Sequence, residues 1–169
     1  SVFFDSEAHQ LQAQAVAKTL GITAHNLSND SIEPHLELSD HGLSFFHPDA
    51  RAKNKFNIDF VSGSSGWRLK RADHEKLIKK ALGKFDKPLR ILDCTAGLLQ
   101  DTLLFLSLGH KVTAIEQSKI LFLLLQDGVI RSKKTHIELF TNLSLIQGNA
   151  CSFPHETNAF DVIYFDPMY

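Results

Sequence analysis

The sequence has few of the features that mark secreted, metal-binding or membrane proteins. Its 169 residues include only two cysteines, Cys94 and Cys151, with neither the spacing of a metal site nor the density of a disulfide-stapled domain. The longest apolar runs, around residues 103–108 and 120–125, are far shorter than the roughly 18 residues that a transmembrane helix needs. We therefore expect a cytoplasmic protein with no membrane segment and no bound metal.

A strong net charge and the common glycine-rich nucleotide motifs are also missing. The formal net charge is −1, so no global positive field indicates a nucleic-acid partner, and binding of a polyanion would require a local basic patch. No G-x-x-x-x-G-K-[ST] is found, which excludes a P-loop, and without G-x-G-x-x-G a nicotinamide dinucleotide site has only weak support.

Strand-like and helix-like segments alternate from residue 87 onward. Two leucine-rich helical segments, 103–108 and 121–125, lie among four apolar strand-like runs, at 89–92, 111–115, 143–147 and 160–165. Strands that alternate with helices predict a parallel sheet with right-handed crossovers. The predicted class is therefore α/β with a Rossmann-like sheet.

The first part of the chain has a different pattern. It is predicted to contain a strand at residues 2–4, a helix at 8–20 ended by Gly21, and a hairpin across 36–46. It has too few apolar residues for a core of its own. We therefore divide the chain into a small α+β extension, residues 1–55, and the N-terminal part of an α/β domain, residues 56–169, whose first strand is the alternating run Phe56 to Val61.

Polar residues follow successive strands of the predicted sheet, where ligands of open α/β sheets bind. Asp93 precedes a turn containing Gly97 and a helix start at Asp101, Glu116 ends the second strand, and Asn149-Ala150 follows the third. The set suits an adenosyl ligand without a pyrophosphate: Asp93 and Asp101 for an ammonium group, Glu116 for the ribose hydroxyls, Asn149-Ala150 for the adenine edge. Each residue alone also has an ordinary explanation, as a helix cap, strand end or turn former.

The fourth strand-like run ends in Asp166-Pro167-Met168-Tyr169. An acid, a rigid proline and an aromatic ring at a strand end can hold a planar amine, with Asp166 accepting its N–H bonds and Tyr169 stacking on its ring. Alignment of that amine with a methyl sulfonium would be catalysis by positioning, and acceptance of its proton would lower the barrier further. The ordinary alternative is a turn in which Pro167 ends the strand ladder.

A basic run surrounds and follows the loop 62–66. It contains Arg68, Lys70 and Arg71, continues to Lys80, and lies beside Trp67. One interpretation is a solvated helix face with a flexible turn, and the other is a surface that contacts phosphate groups. The sequence leaves both open.

Several of these segments together resemble the RsmJ family. The similar segments are Asp93-x-Thr-Ala-Gly-Leu with Asp101, Ile115 to Ser118, Leu124 to Gly128, Ile58 to Gly63, and Asp166 to Tyr169. The resemblance implies a class I methyltransferase fold that uses S-adenosylmethionine (SAM) to modify a guanine N2 of 16S ribosomal RNA. It also implies cofactor contacts at Gln100, Asp101, Glu116, Gln117, Asn149, Ala150 and Asp166.

Two departures from the family pattern are visible. Leu99-Gln100 stands where we expect Gly-Arg, and the sequence stops at Tyr169, directly after the predicted catalytic turn. Because a sheet of this kind continues with further strands, we expect the sequence to be a fragment of a longer protein.

The resulting prediction is a SAM-dependent rRNA (guanine-N2)-methyltransferase that acts without a metal. Asp166, Pro167 and Tyr169 are the predicted catalytic residues. The alternatives are a methyltransferase that acts on DNA adenine or a protein amide, and a non-catalytic adenosyl- or RNA-binding module.

Overall fold

The computed structural model of the protein describes residues 1–27, 33–49, 55–60, 75–153 and 159–167. The chain forms two compact units. The first contains residues 1–58 and 123–131, and the second contains residues 59–122 and 132–169. The division predicted near residue 55 stays a prediction.

A five-stranded sheet forms the frame of the first unit. Its elements are β1 (Val2–Phe4), α1 (Glu7–Leu20), β2 (Ala24–Asn26), β3 (His35–Ser39), β4 (Gly42–Phe46) and β5 (Phe56–Asn57). The strand order is β2-β1-β3-β4-β5, with β1 parallel to β2 and β3, and the remaining pairs antiparallel. The predicted first strand, the hairpin and the helix stop at Gly21, where φ is +68°, are confirmed.

The core of the first unit is completed by residues far along the chain. Alternate residues of β1 and four consecutive residues of β3 are buried together with one side of α1, including Val2, Leu36 and Val16. Residues 123–131 contribute the further buried side chains Leu124 and Val129. The apolar deficit of the N-terminal segment is thus compensated by part of a downstream helix.

The second unit carries the predicted parallel sheet. Its elements are α2 (Lys76–Leu82), β6 (Arg90–Asp93), α3 (Gln100–Ser107), β7 (Lys111–Glu116), the ends of α4 (Lys119–Lys133), α5 (Ile137–Phe140), β8 (Leu143–Gln147), a 3-10 helix (Ala150–Ser152) and β9 (Val162–Tyr164). The sheet order is β8-β7-β6-β9, all parallel. The chain moves outward from β6 to β8 and returns to the other side of β6. The order therefore reverses between β6 and β9, which is where open α/β sheets bind ligands.

Burial explains why these elements form. Ile91 and Leu92 of β6 are fully buried, and α3 buries Thr102 to Leu106 in one continuous run. The helix ends before Gly109, whose φ is +86°, and the Ser118 hydroxyl caps α4 by accepting a bond from the Leu121 N–H at 3.3 Å. Within the described ranges, no helix is long and apolar enough to span a membrane.

One predicted strand is shorter than expected. The alternation of Phe56, Ile58 and Phe60 predicts a strand to Val61, but β5 ends at Asn57. The Ile58 carbonyl accepts a bond from Arg131 Nη2 at 2.6 Å, so Ile58 makes this contact to α4 instead of extending the strand. Ile58 and Phe60 are nevertheless buried, as their alternation predicts, whereas Phe56 of the same set is exposed.

Candidate functional site

The site begins at Asp93, the last residue of β6. Its carboxylate is 2% exposed and accepts two bonds, from the Thr95 N–H at 3.0 Å and from Thr102 Oγ1 at 2.5 Å. Thr102 lies in the first turn of α3, so Asp93 ties the loop after β6 to the helix that follows it. Burial raises the pKa of Asp93, and the two bonds oppose that shift.

The loop 94–99 is held by hydrogen bonds to β7 and β9, the two strands on either side of β6. The Cys94 N–H donates to the Tyr164 carbonyl of β9 at 2.9 Å, and the Ala96 N–H donates to the Ile115 carbonyl of β7 at 3.2 Å. Gly97 has φ of +50°, and among the described residues a Cβ there would meet only the Thr95 carbonyl oxygen, at 3.7 Å. The backbone at Gly97 thus has open space beside it, into which a ligand could approach closely.

Leu99 is the one described non-glycine residue with a positive φ, at +58°. It directly precedes α3, and its side chain is fully buried. This is the position where the resemblance predicts glycine, which adopts such a backbone conformation without strain. Burial of the leucine side chain stabilises a conformation that its backbone disfavours.

The end of β9 is bonded to the same loop. The Asp166 N–H donates to Thr95 Oγ1 at 2.8 Å, and the Tyr164 hydroxyl donates to Asp101 Oδ2 at 2.8 Å. Asp166 itself is exposed, and Pro167 is half-buried. The turn predicted to hold an acceptor amine therefore lies against the loop predicted to hold the cofactor.

The carboxylates of Asp93, Asp101 and Asp166 lie at the β6 and β9 part of this edge of the sheet. Burial is the main cause that raises the pKa of Asp93, and the negative charges of Asp101 and Asp166 add to it. The pKa of Tyr164 is raised as well, chiefly by burial and then by its bond to Asp101. These couplings place Asp93, Asp101, Tyr164 and Asp166 within one electrostatic environment, which favours a positively charged ligand.

Two further strand ends continue the edge. Glu116 Oε1 accepts a bond from the Ser118 N–H at 2.7 Å, and the Gly148 N–H donates to the Glu116 carbonyl at 2.9 Å. Within the described part of the chain, no hydrogen bond is seen to Glu116 Oε2. Asn149 Oδ1 accepts the Cys151 N–H at 2.9 Å, so Asn149 also acts as a turn former.

The structure thus brings most predicted site residues to one edge. Hydrogen bonds and strand register join the ends of β6, β7, β8 and β9, which carry Asp93, Gly97, Asp101, Glu116, Asn149, Ala150, Asp166 and Pro167. Gln100 is the exposed first residue of α3, and the Gln117 carbonyl accepts a bond from Gln147 Nε2 at 3.2 Å. Tyr169 and the basic residues Arg68, Lys70 and Arg71 lie outside the described residues.

Three residues of the site were not predicted to take part in it. Thr95 holds the Asp166 backbone, Thr102 holds Asp93, and Tyr164 holds Asp101. A signal existed for Tyr164, because the strand period of two places it on the same face as Asp166. The Thr102 bond was not visible in the local pattern.

The chemistry of these groups fits SAM. SAM has a permanent sulfonium charge and an ammonium group, and the carboxylates of Asp101 and Asp166 supply the complementary charge. Glu116 Oε2 is available to a ribose hydroxyl pair, and the open side of Gly97 allows close backbone approach. In the described ranges, no group of three or more His, Cys, Asp or Glu side chains is arranged to hold a metal ion.

Comparisons with known proteins agree with this fit. A family model described as "Putative SAM-dependent methyltransferase" matches residues 9–169. The ribosomal RNA small subunit methyltransferase J of Nitrosococcus oceani is 34% identical, over 99% of this chain and 69% of its own length. The protein of the same name from Alcanivorax borkumensis is 35% identical, over 84% of this chain and 56% of its own length.

A solved structure supports the fold. The crystal structure of a SAM-dependent methyltransferase from Neisseria gonorrhoeae aligns with a TM-score of 0.74 at 24% identity, and covers all of this chain and 70% of that one. The chain spans about half to seven tenths of the length of the curated relatives it matches. The predicted Rossmann-like class is confirmed, and the chain belongs to the ribosomal RNA small subunit methyltransferase J family of SAM-dependent methyltransferases.

Proposed function

We propose that this protein transfers a methyl group from SAM to the exocyclic N2 of a guanosine in small-subunit (16S) ribosomal RNA. The names of the relatives support the RNA substrate. The observation that carries the chemistry is the 2.8 Å bond from the Asp166 N–H to Thr95 Oγ1. It joins the turn for the acceptor amine to the loop for the cofactor, so both reactants would meet on one rigid support.

The cofactor would lie along the carboxyl edge of the sheet. Glu116 would bind the ribose hydroxyls, Asn149 and Ala150 the adenine edge, and Asp101 the ammonium group. Gln100 and Gln117, exposed beside them, are further proposed contacts. Asp93 holds the loop in place from below, and Gly97 gives room for the methionine end. When bound, SAM supplies an electrophilic methyl group.

Asp166 and its neighbours would hold the acceptor. The exocyclic nitrogen of guanine is a weak nucleophile because its lone pair is delocalised into the ring. Asp166 accepts an N–H bond from it, Pro167 keeps the turn rigid, and Tyr169 stacks on the base. The new N–C bond would form as the sulfonium S–C bond breaks and S-adenosylhomocysteine leaves, and Asp166 would accept the proton that the positively charged nitrogen gives up.

The partner of this site would be ribosomal RNA in the cytoplasm. Because the chain has no overall positive charge, RNA binding would require a local basic patch. Arg68, Lys70 and Arg71 are the proposed phosphate contacts of that patch. DNA adenine and a protein amide present a similar planar amine, and the names of the relatives favour ribosomal RNA over both.

The test is methyl transfer by the full-length protein and its Asp166→Asn variant, with labelled SAM and small ribosomal subunits. We expect turnover to fall at least about 100-fold, the usual range for loss of a general base, while the affinity for SAM changes by less than about threefold. Asp86→Asn, which removes an exposed carboxylate before β6, is the matched control and should leave both quantities unchanged. Wild-type turnover in Asp166→Asn would exclude the proposed role.

A further inference from the structure

Tyr164 is held at both ends of its side chain. Its ring meets the Phe105 ring edge to face, with centroids 5.0 Å apart and an interplanar angle of 77°. Its hydroxyl donates to Asp101 Oδ2 at 2.8 Å. Both partners belong to α3, so the tyrosine connects β9 to one helix through an apolar contact and a polar one.

The backbone of Tyr164 is also part of the site. It pairs with Asp93 in the parallel register of β6 and β9, and its carbonyl accepts the Cys94 N–H at 2.9 Å. It lies two residues before Asp166. Tyr164 belongs to the strand that carries the acceptor turn, and it contacts both the loop after β6 and the first turn of α3.

The negative charges at this edge indicate why the Tyr164 hydroxyl is needed to hold the Asp101 carboxylate. The Asp93 and Asp101 carboxylates are close enough to repel each other, and this repulsion would push a mobile Asp101 carboxylate away from the edge. A tyrosine phenol keeps its proton at neutral pH and is therefore a donor, and burial with the bond to Asp101 raises the pKa of Tyr164 further. A hydrogen bond to a charged group is among the stronger ones in proteins.

We propose that Tyr164 is a positioning residue for the cofactor, whose hydroxyl fixes the Asp101 carboxylate in the orientation that binds the ammonium group of SAM. This inference rests on the proposed function in taking SAM as the ligand, but not in taking ribosomal RNA as the acceptor. The bond to Asp101 is distinct from the packing of the ring on Phe105, so the two contributions can be separated.

The experiment compares the full-length protein with Tyr164→Phe, which keeps the ring and removes the hydroxyl. Calorimetric titration should show an approximately tenfold higher dissociation constant for SAM, equivalent to about 1.4 kcal/mol, in a variant that is still folded. In steady-state assays KM for SAM should rise while KM for RNA stays within about twofold. Ser144→Ala, which removes an exposed hydroxyl on β8, is the control and should bind SAM like the wild type.

A double-mutant cycle separates positioning from a merely structural role. In an Asp101→Ala background, Tyr164→Phe should weaken SAM binding by less than about twofold, because the carboxylate it orients is gone. Independent, multiplying effects would overturn the proposal, as would wild-type SAM affinity in Tyr164→Phe. If Tyr164→Phe does not fold, Asp101→Ala alone must weaken SAM binding at least about tenfold, and unchanged affinity would overturn it. Because SAM titration needs no RNA, a failure to methylate ribosomal RNA would leave this result standing.

Discussion

Gly42 is predicted to tolerate substitution much less well than Gly21 of the same unit. It begins β4 with φ of +91°, and a Cβ there would overlap Arg131 Nε and lie 2.5 Å from Asp127 Oδ2. Those two side chains form a salt bridge of 2.8 Å between Asp127 Oδ2 and Arg131 Nε. Asp127 Oδ2 also accepts the Leu43 N–H at 3.0 Å. Gly42→Ala must therefore displace a bonded pair and not merely fill empty space.

The magnitude follows from two contributions. An L residue in a left-handed conformation costs about 1–2 kcal/mol. Breaking a fully buried ion pair costs about 3–5 kcal/mol; the Arg131 side chain is 26% exposed, so we discount this for solvent screening to about 2–3 kcal/mol. The expected loss for Gly42→Ala is thus about 3–5 kcal/mol, a large part of the ~5–15 kcal/mol that stabilises a typical domain.

Urea unfolding followed by circular dichroism measures this loss. Gly21→Ala is the matched control in the same unit, because Gly21 has φ of +68° and a Cβ added there would have no atom of the described residues within 4 Å. It should lose only the backbone contribution of about 1–2 kcal/mol. With a urea slope of about 2 kcal/mol/M, the two variants should differ in midpoint by roughly 1 M or more. Equal midpoints would refute the argument from the ion pair.

Three further predictions concern single side chains. Thr95→Val removes the acceptor of the Asp166 N–H and should lower kcat about five- to tenfold with little change in SAM affinity, whereas Thr95→Ser should retain activity. His110 is fully buried, accepts the Leu89 N–H through Nδ1, and has its pKa lowered by burial. Since the unfolded chain takes up the proton first, the unfolding free energy should fall as pH drops below about 6.5, and His110→Phe should flatten that dependence. Leu99→Gly relieves about 1 kcal/mol of backbone strain but loses a buried side chain worth about 3 kcal/mol or more, so thermal unfolding should show a net destabilisation.

The sequence predicts the local elements well because their causes are local. Apolar residues at strand-like spacing between turn residues mark such elements, and the runs at 111–115 and 143–147 match β7 and β8 closely. The end of α1 at Gly21 follows from a conformation that glycine adopts readily. The early end of β5 could not be predicted, because it depends on Arg131, which is 73 residues away from Ile58.

The candidate site also has one part that the sequence predicts and one part that it does not. Acids at strand ends are visible in the sequence, since the carboxyl ends of parallel strands meet at one edge. The bonds from Tyr164 to Asp101 and from Asp166 to Thr95 span 63 and 71 residues, and only the sheet order β7-β6-β9 brings them together. That order is a property of long-range packing, so the partners of Tyr164 and Thr95 emerge from the structure alone.

The measurement that tests the central claim most directly is the identity of the methylated nucleoside. Small ribosomal subunits that lack the guanosine N2 methyl group would be incubated with the full-length protein and methyl-labelled SAM. Their RNA would then be digested to nucleosides and analysed by mass spectrometry. The account predicts label in N2-methylguanosine and its loss in Asp166→Asn. Label in N6-methyladenosine or in a protein amide would contradict the proposed acceptor. If the protein is folded and binds SAM but the RNA carries no label, methyl transfer to ribosomal RNA would be contradicted.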